Sequence, residues 1–448
     1  MTLATIPRDV LWWCAGRGLA ALLFAIWLVS CTSLSAGSEE TESAAAGQEA
    51  EVFRPTAGQF PPLEKAHACR GELVFVDHAN RRGSLRIAGT GKFYRNDPQP
   101  FAMLPCGVIR YHGAPADLRD IPLGTLLHVR SFLPPDPKMS AVPVLPIDNK
   151  DRDAGHYRGT GTAPAENHVL LLEDEPSHCL REGLVWRLKE VEHHDGSGKL
   201  LAARVPVLEN GSEAEPELFT FDAATRVWRG RERLRIEDLV AEADWPVSGK
   251  RPLDGPAVLL GMTWKPAPGD GLSGAFTQFH ISDIWLGDEA IREAAHFQNE
   301  THKTFIRSRW MPAWVDHVAY GKFGQATVTA TLFGGMDASL YNDFHSGISA
   351  QINGAENTLK HAAGHYGPGH LSSAGQILAV TRLPEAPLGS SGIQIQFQTD
   401  LIIEGIRPGR VVRVRPESWP KMQIPREEYL FENSPQDRFP KPDIFPTY

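Results

Sequence analysis

Glu72-Leu-Val-Phe-Val-Asp77, then His78-Ala-Asn-Arg-Arg-Gly83, then Ser84-Leu-Arg-Ile87 reads as a strand, a turn and a returning strand. Apolar and β-branched residues fill the two flanking runs, and a polar segment ending in glycine reverses the chain between them. The same grammar continues downstream. Phe101 to Leu104 and Val108-Ile-Arg-Tyr111 are strand-like, a turn follows at Gly113, and Leu118-Arg-Asp-Ile-Pro-Leu-Gly124 leads into Thr125-Leu-Leu-His-Val-Arg-Ser-Phe132. Short strands interrupted about every ten residues by Gly or Pro predict a closed barrel or a sandwich rather than an α/β fold.

The pattern recurs from Gly183. Leu184 to Leu188 and Leu200 to Val205 flank a turn ending in Gly198, and Leu218-Phe-Thr-Phe221, Thr225 to Gly230, Leu234 to Leu239 and Ala257 to Trp264 follow in the same order. Trp314 to Val318, Ala326 to Phe333, Ile393 to Phe397 and Leu401 to Val414 suggest a third copy. Gly409 before Arg-Val-Val-Arg-Val there parallels Gly124 before Thr-Leu-Leu-His-Val. A glycine turn that delivers an alternating apolar strand would close a barrel against the first strand of its unit. The units are similar to the small OB-like barrels of exported bacterial proteins. The expected fold is therefore mainly β: two or three tandem small OB-like barrel or sandwich units with one intervening α-helix, α+β overall.

That helix is predicted over Asp288 to Ile306, where Ile291, Ala294, Ala295, Phe305 and Ile306 keep helical spacing and acidic residues fill the first turn. A second helix candidate is Gly354 to Ala363. The predicted organisation is a signal peptide at 1–30, a tether at 31–66 and a first barrel at 67–135. A Pro- and charge-rich linker at 136–166, a second barrel at 167–285 and a connecting helix at 286–310 follow. A third barrel with an inserted helix and His-rich loop spans 311–419, and a tail spans 420–448.

The export segment is the most specific motif in the chain. Leu19 to Val29 is uncharged and apolar, Arg17 and Arg8 precede it, and Leu28-Val29-Ser30-Cys31 closes it. At 1.5 Å rise per residue this run is too short for a hydrocarbon core of about 30 Å. Leu28 to Cys31 resembles the lipobox of bacterial lipoproteins, which implies fatty acylation (palmitate or its like) of Cys31 and cleavage before it. The Ser-, Ala-, Gly- and Glu-rich stretch after Cys31 fits a tether. Cleavage after Ala36, giving a soluble secreted protein, and retention as a single-span anchor are the alternatives. The expected location is extracytoplasmic and lipid-anchored in the cell envelope. Thr32, where an aspartate would mark inner-membrane retention, leans by resemblance toward an outer membrane.

A formal net charge of −9 argues against nucleic acid as a partner, because a clustered basic patch would be needed. The expected partners are the membrane, through the N-terminal lipid, and a protein or envelope polymer. Outside the export segment the cysteines are Cys69, Cys106 and Cys179. A Cys69–Cys106 disulfide and three buried free thiols are both open readings.

Chemistry is thinly signposted. His361 and His365 are four apart, His370 follows a Gly-Pro-Gly turn, and Asp343 lies upstream, so this set is the candidate metal site, for zinc or copper. It lacks the His-Glu-x-x-His pattern of zinc proteases. No Gly-x-Ser-x-Gly elbow, P-loop or Gly-x-Gly-x-x-Gly is present. Arg307, Arg309, Trp310 and Trp314 form a cationic–aromatic patch suited to packing between units or to a ligand surface. The expected function is a lipid-anchored binding or scaffolding protein without a cofactor. The alternative is an extracytoplasmic metal-dependent enzyme using His361, His365 and His370.

Overall fold

The computed structural model describes residues 53–78, 81–87, 98–133, 166–207, 212–242, 245–247, 255–266, 277–354, 372–400 and 406–419. These residues build three closed β-barrels. The first consists of β1 (His67–Asp77), β2 (Arg82–Ile87), β3 (Gln99–Tyr111), β4 (Ala114–Pro115), β5 (Leu126–Phe132) and β6 (Asn167–Asp174). Its ring runs β1-β2-β3-β6-β5 and back to β1, with β3 and β6 parallel and β4 hairpinned onto β3.

The second barrel repeats that order. Its strands are β7 (Leu184–His194), β8 (Ser197–Pro206), β9 (Glu217–Phe221), β10 (Arg226–Arg229), β11 (Glu232–Leu234), β12 (Ala257–Pro266) and β13 (Thr277–Leu286). The ring is β7-β8-β9-β13-β12, β9 is parallel to β13, and the β10–β11 hairpin extends the sheet beyond it. Both barrels are five-stranded Greek keys of the OB type.

The third unit is also a barrel but not a further copy. Its strands are β14 (Met311–Tyr320), β15 (Ala326–Phe333), β16 (Ser349–Gly354), β17 (Ser372–Arg382), β18 (Ser390–Thr399) and β19 (Val411–Pro416). They close in the order β14-β15-β18-β17-β16-β19, antiparallel throughout.

One latch is common to all three. The amide of Gly124 donates to the Leu73 carbonyl (2.7 Å), that of Gly255 to Leu188 (2.9 Å) and that of Gly409 to Val315 (2.8 Å). Each accepting residue is buried and stands directly before a β-bulge in the first strand of its barrel. The strand after each glycine pairs with that first strand. The bulge bends and twists the first strand, and the latch fixes where the closing strand meets it.

Two boundaries differ from the sequence expectation. Asn167–Asp174 is inserted between β3 and β5 of the first barrel rather than opening the second, so the Pro-rich stretch before it interrupts one barrel and does not separate two. Val169 and Leu172 enter the first core while Leu170 packs on the opposite side, against the third barrel, which explains an apolar run without alternation. A short helix, Glu175–Glu182, then joins the first two barrels. It starts at the Asp174 N-cap, whose carboxylate accepts from the Ser177 amide, and stops at Gly183 in the left-handed region. Of the second helix candidate, Gly354 ends β16, and 355–363 lie outside the described residues.

The long helix Gly287–Arg309 ties the barrels together. Ala290 and Ile291 enter the second core, Phe305 and Ile306 enter the third, and Gln298 Nε2 donates to Asp120 Oδ2 of the first unit at 2.9 Å. Leu104, Cys106 and Phe132 of the first barrel pack with Trp314, Phe333 and Val411 of the third. At about 1.5–3 kcal/mol for each large side chain fully buried, that shared cluster holds two barrels as one body. Among the described residues no helix is long and apolar enough to cross a membrane.

Candidate functional site: the cleft between the first two barrels

Three successive acids, Glu173-Asp174-Glu175, end β6 and begin the short helix, and each makes a different tie. Glu173 takes Arg181 through both carboxylate oxygens at 2.9 and 3.0 Å. Asp174 caps the helix. Glu175 is fully buried, and Arg204 of β8 reaches it bidentately, Nε to Oε1 at 2.9 Å and Nη2 to Oε2 at 3.1 Å. Trp186 Nε1 (3.0 Å) and the Cys179 thiol (3.3 Å) also donate to Oε1, and His128 Nε2 lies 2.6 Å from Oε2. Burial alone would raise the Glu175 pKa, but His128 and Arg204 outweigh it and hold the carboxyl well below its usual range. This center is saturated by protein groups and is structural in character.

The cleft lies beside it. Tyr111, His112 and Gly113 form the β3–β4 turn, and His112 (φ 54°) and Gly113 (φ 80°) both take positive φ. The turn is fastened to the short helix: the His112 amide donates to Asp174 Oδ2 (2.9 Å) and the Gly113 amide to Ser177 Oγ (2.8 Å). A non-glycine residue at positive φ is strained and persists because its surroundings determine it. The Tyr111 ring stacks on the His112 ring at 3.8 Å, and His112 stands edge-on to Trp285 of β13 at 5.1 Å. Trp285 in turn lies over Gly261, where any Cβ would meet the indole at 3.0 Å.

Opposite the turn, Asp283 is buried and accepts from Trp228 Nε1 (2.9 Å) and Arg226 Nη2 (2.7 Å), which aims the half-exposed Arg226 across the opening. Pro122 to Thr125 make the rim, pinned by Thr263 Oγ1 donating to the Gly124 carbonyl at 2.6 Å. The cleft has a volume of about 160 Å³. Burial lowers the His112 pKa against the opposing pull of Asp174, and it raises that of Tyr111, so the imidazole is neutral and the phenol protonated near pH 7. The cleft therefore offers a phenol, a neutral imidazole, a guanidinium and the hydroxyls of Ser282 and Thr125. Its carboxylates are already engaged.

The residues singled out from the sequence fall elsewhere. Asp343 accepts from Trp419 Nε1 (2.7 Å) and faces Arg307 Nη2 (3.6 Å), so it fastens the end of the third barrel. Among the described residues no cluster of His, Cys, Asp or Glu is arranged to hold a metal ion, while His361, His365 and His370 lie outside the described residues, as does Cys31. Cys69 and Cys106 are not bridged: both are free thiols, as is Cys179. Cys69 borders the core of the first barrel, whereas Cys106 sits in the cluster shared with the third, where burial pushes its thiol up to about 12. The Arg307–Trp314 stretch is mostly packing. Trp314 is buried edge-on against Phe333, and Arg309 is buried with its guanidinium 5.2 Å from the Phe305 ring.

Sequence reading missed the cleft residues and one triad-like group. Thr220 Oγ1 lies 2.9 Å from His280 Nδ1, and His280 Nε2 lies 3.5 Å from Asp222 Oδ1. Asp222 is also bound by Lys265 and accepts from the Ala224 amide within a turn, and the Thr220 hydroxyl is within 3.3 Å of the Phe279 carbonyl. These contacts tie β9 to β12 and β13, and none of Thr220, Asp222, Lys265 and His280 lines the cleft. Comparison with protein-family models, with curated proteins and with solved structures finds no match to this chain.

Proposed function

We propose that the chain is an exported, lipid-anchored cell-envelope protein with a binding role, and that the cleft between its first two barrels takes a hydroxyl- and amide-rich end group of an envelope glycan. The observation that carries this reading is the assembly of Tyr111, His112, Arg226, Ser282 and Trp285 around one cleft on rigid strands. A strained His112 turn fastened by Asp174 and Ser177 presents donors without local reorganisation, which is the condition for affinity in a small polar site. Neutral donors beside an aromatic wall suit hydroxyl and acetamido groups. The apposed Arg226–Asp283 pair offers direction without a strong net charge. Export and tethering rest on Leu28 to Cys31.

The experiment is calorimetric titration of the protein with soluble disaccharide–peptide fragments released from purified cell wall. Saturable binding is expected, weakened several-fold by Tyr111→Phe, which removes one hydroxyl, and by His112→Asn, which keeps a residue tolerant of positive φ. Heatless mixing at millimolar fragment, or binding indifferent to both variants, overturns the proposal.

A further inference from the structure

A second cavity lies where the first barrel, the long helix and the third barrel meet, and its wall chemistry differs from that of the cleft. Its volume is about 40 Å³, and the ionisable side chains on its wall include Arg81, Asp117, His302 and Arg413. We infer that it is a built site for one small monovalent anion of halide size, held between Arg81 and Arg413.

Charge accounting at the wall supports this. Arg81 is fastened by carbonyls, not by an acid: Nη1 donates to Pro105 O and Nη2 to Gly107 O, both at 2.8 Å. Its Nε is buried without a partner. Arg413, on β19, is 2% exposed and bonds the Trp310 carbonyl through Nη1 at a long 3.4 Å, while its Nε is also buried and unpartnered. Asp117 is the carboxylate on this wall, and it is engaged in capping the turn Leu118–Asp120. Two guanidiniums therefore face one carboxylate, and guanidinium does not give up its proton in proteins. An uncompensated buried charge costs several kcal/mol, which a single bound anion would offset.

The remaining groups point the same way. His302, on the long helix, is buried with Nδ1 unpartnered, and as N–H this atom could donate to the same anion. Burial first, then the Arg81 guanidinium, lower the Arg413 pKa to about 9, with Asp117 opposing and Arg309 adding to the fall, so Arg413 has two cations and one carboxylate for charged neighbours. Size bounds the ligand. A water needs roughly 10–15 Å³ of such space, so a cavity of about 40 Å³ takes a halide together with one or two waters, and not an anion of the size of gluconate. Gly107 and Gly335 keep the walls close: a Cβ on Gly335 would stand 2.8 Å from Val108. The anion would join three elements of the fold and so stabilise their union.

The test is thermal unfolding of the full chain at constant ionic strength, with chloride exchanged for gluconate, which is too bulky to enter. A Tm that climbs in equal steps for each tenfold rise in chloride above its Kd is expected. The slope should vanish in Arg413→Gln. Diffraction from crystals soaked in bromide supplies an independent reading on the unmutated protein, should that variant fail to fold. An anomalous peak between the two guanidiniums is the expected result. A Tm indifferent to chloride, a slope undiminished in Arg413→Gln, or an empty cavity at saturating bromide each overturns the inference.

Discussion

The Gly124 amide donates to the Leu73 carbonyl at 2.7 Å and the Leu73 amide to the Thr125 carbonyl at 2.9 Å, and this pair begins the ladder that places the closing strand of the first barrel on its opening strand. Gly124 has φ +91°, and a Cβ there would stand 3.3 Å from the Thr263 hydroxyl at the rim of the cleft. The same latch thus sets barrel closure and the edge of the proposed binding site. Gly124→Ala is expected to destabilise the protein by about 1–3 kcal/mol through backbone strain. Urea unfolding monitored by tryptophan fluorescence measures it. A midpoint unchanged from the parent would mean that the latch is incidental.

Removing the charge at Glu175 tests how the first two barrels are joined. Glu175→Gln keeps the side-chain volume but removes the buried carboxylate from Arg204 and leaves it only Glu217, 3.1 Å from Nη1, so a loss of about 2–4 kcal/mol is expected. Because the Glu175 pKa is depressed, its contribution is complete at neutral pH and is lost only as pH falls below the usual carboxylate range. The difference between parent and variant should therefore shrink in strong acid.

His302 predicts a separate acid sensitivity. Burial first, then Arg119 and Arg81, hold its pKa at about 3, with Asp337 opposing. An unfolded histidine binds its proton near pH 6.5, so the unfolded chain takes up a proton that the folded chain refuses. Stability should be level above neutrality and fall as pH drops from 6.5 toward 4, by roughly 1.4 kcal/mol per unit from this group. Calorimetry from pH 8 to pH 4 measures it, and the slope should flatten in His302→Gln.

The tether makes its own prediction. Cys31→Ala should abolish incorporation of labelled palmitate and release the protein from the membrane fraction. Membrane association that survives without lipid label would assign anchoring to another part of the chain.

Strand periodicity and the glycine before each closing strand made much of the β architecture legible. Gly124 and Gly409 were readable as equivalents because a tight turn and an alternating apolar strand recur after each. The order of the third barrel was not readable, since a pattern of short strands does not specify which neighbours pair. The cleft was hidden for a different reason. His112, Asp174, Arg226 and Asp283 are far apart in sequence, and they meet only because β6 returns to the first barrel after the Pro-rich stretch. One signal was available. Glu173-Asp174-Glu175-Pro176-Ser177 follows an apolar run and has the form of a helix start, with Asp as N-cap and Pro in the first turn. Acids at the end of a buried strand mark a junction that needs cationic partners.

Hydrogen–deuterium exchange on the full chain, with and without cell-wall disaccharide–peptide fragments, bears most directly on the binding role. Protection is expected in peptides covering Tyr111 to Thr125, Gly261 to Thr263 and Ser282 to Trp285, with the third barrel unchanged. Exchange unaltered by the fragments, or protection confined to the third barrel, would contradict the account.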